Sequence, residues 1–239
     1  MIVTFLGHSC LLVEENNYRV IIDPFLTDNP QAKVKPEEID VDAILITHGH
    51  SDHIGDAVAI AKKNNCKIVT NYELAMYLAQ QGVDVHPLGI GGAFDFEWGR
   101  VKLTQAFHGS GIEVSPGTFI YGGMPTGILL TMNNKTLYHA GDTGLFGDMR
   151  IIGELNEIDV AALPIGDNFT MGMKDATIAA TWLKAKTYLP LHYNTFPLIE
   201  QNPLKWKEMM KENNNEVIIL DVGECHIYDK GQLKSGEIV

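Results

Sequence analysis

Short apolar segments separated by turn residues open the chain. Tyr18–Ile22 follows the turn residues Asn16-Asn17, and a similar strand-like composition recurs in Ile2–Leu6, Cys10–Val13 and Ala43–Thr47. From about Gly55 to Lys63 the apolar positions change to a helical spacing. A further strand and helix follow, Lys67–Thr70 and Tyr72–Gln81. The first third of the chain is therefore predicted to form a sheet of hairpins and short strands with helices between them.

Strand patterns dominate the middle of the chain, and strands alternate with helices towards its end. Asn133-Asn134 is a hairpin signal between two of the strands predicted at Ala93–Trp98, Val101–Phe107, Ile128–Met132 and Lys135–His139. The later pattern predicts helices at Gly147–Leu155, Ala176–Ala185 and Pro203–Glu212, with strands at Val160–Pro164, Tyr188–Leu191, Val217–Leu220 and Cys225–Tyr228. Meanders mixed with helices favour two packed sheets with helices outside. No linker divides residues 1–239, so we expect a single domain.

Composition narrows the class of partner and the compartment. The 239 residues include 30 acidic and 18 basic side chains, a formal charge of −12, which disfavours broad binding of nucleic acid. Cys10, Cys66 and Cys225 form neither a disulfide framework nor a CxxC zinc site, which favours a reducing, cytoplasmic location. The start of the chain lacks a basic leader, and no apolar run of about 20 residues predicts a membrane span.

The most informative segment follows the predicted strand Ala43–Thr47 and has the form HxHxDH. His48 and His50 are two residues apart on extended backbone, so their side chains point to the same side and can bind one ion. Asp52 and His53 lie where the chain turns towards a helix, so they can face a second position nearby. Imidazole and carboxylate groups suit Zn²⁺, and also Mn²⁺ or Fe²⁺.

Three further candidate ligands follow other predicted strands. His108 follows Val101–Phe107 and opens a glycine-rich segment that is a candidate pocket wall, Asp142 follows the strand ending at His139, and His192 follows Tyr188–Leu191. Function concentrates at such junctions between strands and loops. Each residue alone is a weak signal, but their order behind HxHxDH makes the set strong.

This series of residues resembles the five-motif signature of the metallo-β-lactamase superfamily. The resemblance implies the α+β class, with an αββα four-layer sandwich and a metal site on one edge. It implies two divalent metal ions, with zinc the first choice and manganese, iron or nickel as alternatives. One ion would be held by His48, His50 and His108 and the second by Asp52, His53 and His192, with Asp142 bridging them.

Shorter matches narrow the resemblance to one family. Gly7-His8-Ser9-Cys10, the segment 165–172 and the segment 192–197 resemble the small metal-dependent hydrolases of mostly unassigned substrate, which are similar to L-ascorbate-6-phosphate lactonase. The expected reaction is attack by metal-bound hydroxide on a small ester, lactone or phosphodiester, with Asp52 as the catalytic residue that orients the nucleophile and takes its proton. The family resemblance also suggests a homo-oligomer.

Other readings of the same residues stay open at this stage. An iron-dependent oxidoreductase or dioxygenase could use the same scaffold, and so could a nuclease, which the acidic charge disfavours, or a metal-binding protein without turnover. The expected partner is a small molecule, and a metal-centred site could accept an anionic one. Five further residues are candidates for contacting the substrate or positioning the ligands, and the alternative for each is an ordinary structural role: His8, His139, Asp167, Asn194 and Thr195.

Overall fold

The computed structural model describes residues 1–228 and 234–236. The strands of the first half are β1 Ile2–Gly7, β2 Cys10–Glu15, β3 Tyr18–Ile22, β4 Ala43–Leu45, β5 Lys67–Asn71, β6 Val85–Leu88, β7 Ala93–Phe96 and β8 Gly99–Gln105. Those that follow are β9 Gly111–Ser115, β10 Thr118–Tyr121, β11 Thr126–Met132, β12 Lys135–His139, β13 Val160–Pro164, β14 Thr187–Leu191, β15 Cys225–Ile227 and β16 Lys234–Gly236. The helices are α1 Ser51–Ile54, α2 Ala57–Asn64, α3 Tyr72–Ala79, α4 Met149–Leu155, α5 Met173–Leu183 and α6 Pro203–Glu212, with short 3-10 turns at Pro36–Glu38 and Pro197–Ile199.

Two large mixed sheets carry the fold. The first has the strand order β16-β15-β1-β2-β3-β4-β5-β6, and the second has the order β14-β13-β12-β11-β8-β7. Strands β3 to β6 are parallel, as are β12 to β14, whereas the remaining neighbours in both sheets are antiparallel. The carboxyl ends of the parallel strands therefore meet at one edge of each sheet, where their loops can build a site.

The alternation of side chains along β3 shows how the layers are packed. Val20 and Ile22 lie in the core between the sheets, while Ile21 lies in a second core with α2 and α3. Helices α4, α5 and α6 cover the outer face of the second sheet, where Trp206 of α6 is completely buried. This order of helix, sheet, sheet and helix is the αββα sandwich that the sequence predicted.

The structure corrects three details of the sequence pattern. Val85–Leu88 forms the edge strand β6, whose Pro87 breaks the apolar pattern but is tolerated at an edge. The glycine-rich stretch after His108 contains the hairpin β9–β10 rather than only a loop. The strand predicted at Val217–Leu220 is wrong, because only Val217 pairs, in an isolated bridge with Tyr188. Within the described residues, no helix is long and apolar enough to cross a membrane.

Candidate metal centre

All seven predicted ligands lie at the ends of strands or in α1, on one edge of the sandwich. His48 and His50 follow β4 and lead into α1, which carries Asp52 and His53. The remaining three come from the second sheet: His108 after β8, Asp142 after β12 and His192 after β14. Strand β8 runs in the same direction as β12 to β14, because β8 and β12 are both antiparallel to β11, so the carboxyl ends of these strands share an edge.

The first group consists of His48, His50 and His108. One nitrogen of each imidazole can be chosen so that all three lie within 4.8 Å of one another. His48 Nε2 is 3.0 Å from His50 Nδ1, and the rings of His50 and His108 have centroids 5.0 Å apart. Burial lowers the pKa of all three imidazoles, so each is neutral near pH 7 with a nitrogen lone pair available to a cation.

The second group contains Asp52, His53 and His192, and the structure adds His8 to it. Ligand atoms from these four residues also lie within 4.8 Å of one another. Asp52 Oδ2 is 3.1 Å from His8 Nε2, 3.8 Å from His192 Nε2 and 3.9 Å from His53 Nε2. Asp52 is the most accessible of the four residues, with 27% of its side chain exposed, whereas the imidazoles of His8, His53 and His192 are buried.

Asp142 lies between the two groups. Its Oδ2 is 3.0 Å from His192 Nε2, 3.3 Å from His53 Nε2 and 3.5 Å from His108 Nε2. Burial opposes ionisation of Asp142, but His192 and His53 lower its pKa well below the usual value. One buried carboxylate oxygen thus contacts imidazoles of both groups.

Asp23 supports this centre, although it lies outside the seven ligands that the sequence predicted. Its Oδ2 is 2.7 Å from His53 Nδ1 and accepts a hydrogen bond from the Thr47 hydroxyl, and its Oδ1 accepts one from the Thr47 amide. Because Nδ1 donates to Asp23, Nε2 is the ring nitrogen that would bind a cation, in exchange for the proton it carries towards Asp142. The signal was present, because Asp23 directly follows a buried strand, as the other candidates do.

Left-handed backbone occurs at three of these strand ends. His8, Asp23 and His192 have φ values of 57°, 48° and 53°. The amide of His192 donates to the carbonyl of His8 at 2.8 Å, so the loops after β1 and β14 are joined at the site. Such conformations cost about 1–3 kcal/mol each and persist where the surrounding structure imposes them, often at functional sites.

The additional candidates have different surroundings. His8 is fully buried, and its Nδ1 is 2.8 Å from the Thr195 hydroxyl. Burial lowers the pKa of His8 to about 4, so His8 is neutral and its Nε2–H donates to Asp52. His139 is also buried and bridges Ser9 O and the Gly141 amide, which holds the turn before Asp142.

Asp167 and Asn194 are exposed and have hydrogen bonds within their own loops. The Asp167 amide donates to Met171 O, and Asp167 Oδ1 accepts from the Asn168 amide. Asn194 Oδ1 accepts from the Gln201 amide at 2.7 Å. Among the described residues, Asp167 is not part of the groups of ligand atoms that lie within 4.8 Å of one another. Their part in substrate binding stays a prediction.

The chemistry of the centre fits divalent cations. Asp23, Asp52 and Asp142 converge on the buried His53, where burial opposes protonation but the three carboxylates raise the pKa. Among the described residues, Asp142 Oδ1 is buried without a hydrogen-bond partner, and His53 Nε2, although 3.3 Å from Asp142 Oδ2, is not aligned for a hydrogen bond. Buried polar atoms normally have partners, and a cation would supply both the missing contacts and the positive charge.

Comparison with known proteins places the chain in a family. A model of the beta-lactamase superfamily domain matches residues 18–193. A UPF0173 metal-dependent hydrolase of Bacillus cereus is 56% identical over 225 residues, covering 94% of this chain and 98% of that protein. A UPF0173 metal-dependent hydrolase of Anoxybacillus flavithermus is 56% identical over 211 residues, covering 88% and 94%.

Solved structures agree with this assignment. Igni18, described as a novel metallo hydrolase from the hyperthermophilic archaeon Ignicoccus hospitalis, has a TM-score of 0.85 and 33% sequence identity. The match covers 100% of this chain and 99% of Igni18. The fold and the histidine-rich edge thus define a metal-dependent hydrolase with the metallo-β-lactamase fold. The chain belongs to the beta-lactamase superfamily and, within it, to the UPF0173 metal-dependent hydrolases.

Proposed function

We propose that this hydrolase binds two divalent ions and cleaves a small ester, lactone or phosphodiester. His48, His50 and His108 would hold one ion, and Asp52, His53 and His192 the other, with Asp142 shared between them. The contacts of Asp142 Oδ2 with imidazoles of both groups carry the proposal. A carboxylate shared by two groups of ligands would suit a pair of ions and would supply negative charge to both.

The donor set favours zinc, with manganese, iron and nickel as alternatives. It is composed of imidazole nitrogens and carboxylate oxygens, which suit these metals, and protein ligands alone seldom decide among them. When bound, such ions lower the pKa of a coordinated water to about 7 and polarise the scissile oxygen of the substrate.

The chain's own groups supply orientation and a proton acceptor. His8 donates Nε2–H to Asp52 Oδ2 and so fixes the plane of this carboxylate at the mouth of the site. Burial opposes ionisation of Asp52, but His53 and His8 lower its pKa, so it is ionised near pH 7. We assign Asp52 Oδ1 to the attacking water, whose orientation it sets and whose proton it takes.

The buried thiols support a reducing location for this reaction. Cys10 and Cys66 are buried, and neither is joined in a disulfide. Burial raises the pKa of Cys66 to about 11, so its thiol is protonated and unreactive near pH 7. We therefore assign the enzyme to the cytoplasm, with a small-molecule substrate.

Metal analysis and a substrate panel test the proposal. We expect two equivalents of metal per chain in the purified protein, with hydrolysis of members of an ester, lactone and phosphodiester panel. Asp142→Ala should lose metal and at least about 100-fold in activity with an unchanged circular dichroism spectrum. The matched control is Asp148→Ala, which removes an exposed carboxylate further along the same loop.

Two results would contradict the proposal. Full metal content and activity in Asp142→Ala would show that this residue does not join the two groups. Tightly bound iron with an oxygen-dependent activity, and no hydrolysis across the panel, would favour an oxidoreductase on the same scaffold.

A further inference from the structure

A cavity of about 650 Å³ lies beside the candidate metal centre. Asp52 lines it together with Phe25, Thr27, Asp28, Asp56 and Phe196. Its volume falls in the range of about 300–1,000 Å³ that is usual for sites of small ligands. A group bound there would extend from the bond held next to Asp52.

Two phenylalanines give the cavity an aromatic wall. The rings of Phe25 and Phe196 have centroids 6.5 Å apart, and each centroid lies 5.7 Å from that of His8. His8 in turn holds Asp52 through the hydrogen bond described above. The wall is therefore fixed relative to the candidate metal centre. Phe196 remains 37% exposed, which leaves apolar surface for a ligand to cover.

The polar groups of the cavity do not suit an anionic ligand. Its lining contains neither lysine nor arginine. The carboxylate of Asp56 already accepts hydrogen bonds from the Leu26 amide and from the amide and hydroxyl of Thr27. With Asp52 and the exposed Asp28, the lining contains three carboxylates. A negatively charged group would meet like charges here without a cationic partner.

We propose that this cavity binds an uncharged aryl or alkyl group of the substrate, next to the bond that is cleaved. The proposal rests on the proposed function for the position of that bond. It narrows the substrate class to molecules with an apolar side group, and differs from the sequence-based expectation of an anionic metabolite. Phe196 is the specificity-determining residue, because it is the accessible part of the aromatic wall.

Hydroxamates test this subsite without a known substrate, because their head group binds metal in place of the reacting bond. Calorimetric titration of the zinc-loaded protein would compare acetohydroxamate, benzohydroxamate and 4-carboxybenzohydroxamate. We expect benzohydroxamate to bind at least about tenfold more tightly than acetohydroxamate, since its ring covers the aromatic wall. The added carboxylate should weaken binding at least about fivefold relative to benzohydroxamate.

A variant connects the preference to the cavity. Phe196→Ala should reduce the benzohydroxamate preference to less than about threefold and leave acetohydroxamate binding unchanged. Phe196 is partly exposed and lies in a loop, so the fold should tolerate this change. The control is Leu155→Ala at the end of α4, where an apolar side chain is 72% exposed and takes no part in lining the cavity.

The possible outcomes separate this inference from the proposed function. Equal binding of acetohydroxamate and benzohydroxamate by the wild type would overturn the subsite while supporting a metal centre. Retention of the full preference in Phe196→Ala would also overturn it. Failure of every hydroxamate to bind a protein that has taken up zinc would overturn both proposals.

Discussion

Replacement of Asp23 by asparagine tests how the protein prepares His53 for a metal ion. The carboxylate accepts a hydrogen bond from the Thr47 amide and takes two further contacts at Oδ2, from the Thr47 hydroxyl and His53 Nδ1, each at 2.7 Å. In Asp23→Asn, the amide oxygen can still accept from the Thr47 amide. The NH₂ group then faces His53 Nδ1 as a donor, so the ring proton is expected to move to Nε2.

The size of the effect follows from this change of tautomer. To free Nε2 for a metal ion, the ring must then carry its proton on Nδ1, where the asparagine NH₂ group cannot accept it as the Asp23 carboxylate does. Changes to the partner of a histidine ligand usually lower metal affinity about 10- to 100-fold, or about 1.4–2.7 kcal/mol. We expect Asp23→Asn to lie in this range and to retain the native circular dichroism spectrum.

Competition with a chromophoric chelator measures this loss directly. The matched control is Asp56→Asn, because Asp56 also accepts two amide hydrogen bonds and one from a threonine hydroxyl but does not contact a histidine. Asp56→Asn should lower the free energy of unfolding and leave zinc affinity within about twofold of the wild-type value. Wild-type zinc affinity in Asp23→Asn would refute the reasoning about the His53 tautomer.

Three further predictions concern pH, strain and metal. Burial lowers the pKa of His139, so as pH falls below about 6.5 the unfolded state binds the extra proton before the folded state does. The free energy of unfolding, measured with urea, should therefore decline as pH falls. His139→Gln should reduce that slope by up to about 1.4 kcal/mol per pH unit. Gly55→Ala should destabilise by at least about 2 kcal/mol in the same assay, because a Cβ atom would lie 2.3 Å from Pro24 O at a φ of +43°. Metal removal by a chelator should lower Tm by several degrees, since the clustered carboxylates lose their counter-charge.

Each of these has its own control or contrary result. An unchanged pH slope in His139→Gln would show that His139 takes up its proton equally in both states. Gly82→Ala is matched to Gly55→Ala, because Gly82 also has positive φ but nothing within 4 Å of a Cβ atom, so the difference isolates the steric cost. A Tm that is independent of chelator would contradict metal-linked stability.

The sequence indicated the fold because its local signals agreed with one another. Strand patterns such as Tyr18–Ile22 and Lys135–His139 match the observed strands, since buried strands in a sandwich need apolar side chains on one or both faces. Where packing rather than pattern decides, the prediction is wrong or incomplete. Val217–Leu220 is apolar but pairs at one residue, and Val85–Leu88 pairs although Pro87 interrupts it.

The candidate ligands could also be selected from the sequence, because they are chemically distinctive and each follows a strand. The spacing of His48 and His50 is local, so covalent geometry alone places them together. The contacts of Asp142 with His108 and His192 depend on strand order in the second sheet, which no local pattern encodes. The sequence therefore determined which residues are able to bind metal, and the tertiary structure decided how they are grouped.

The support of the centre and the shape of its cavity were decided by tertiary structure alone. Asp23 holds His53 across 30 positions of the chain, and Phe25 approaches Phe196 only because the loops after β3 and β14 meet at the same edge. The physical reason is that hydrogen bonds and ring contacts act over a few ångströms in space, whatever the separation along the chain. Chemical capacity is local in sequence, whereas partners, burial and cavities arise only when the two sheets pack.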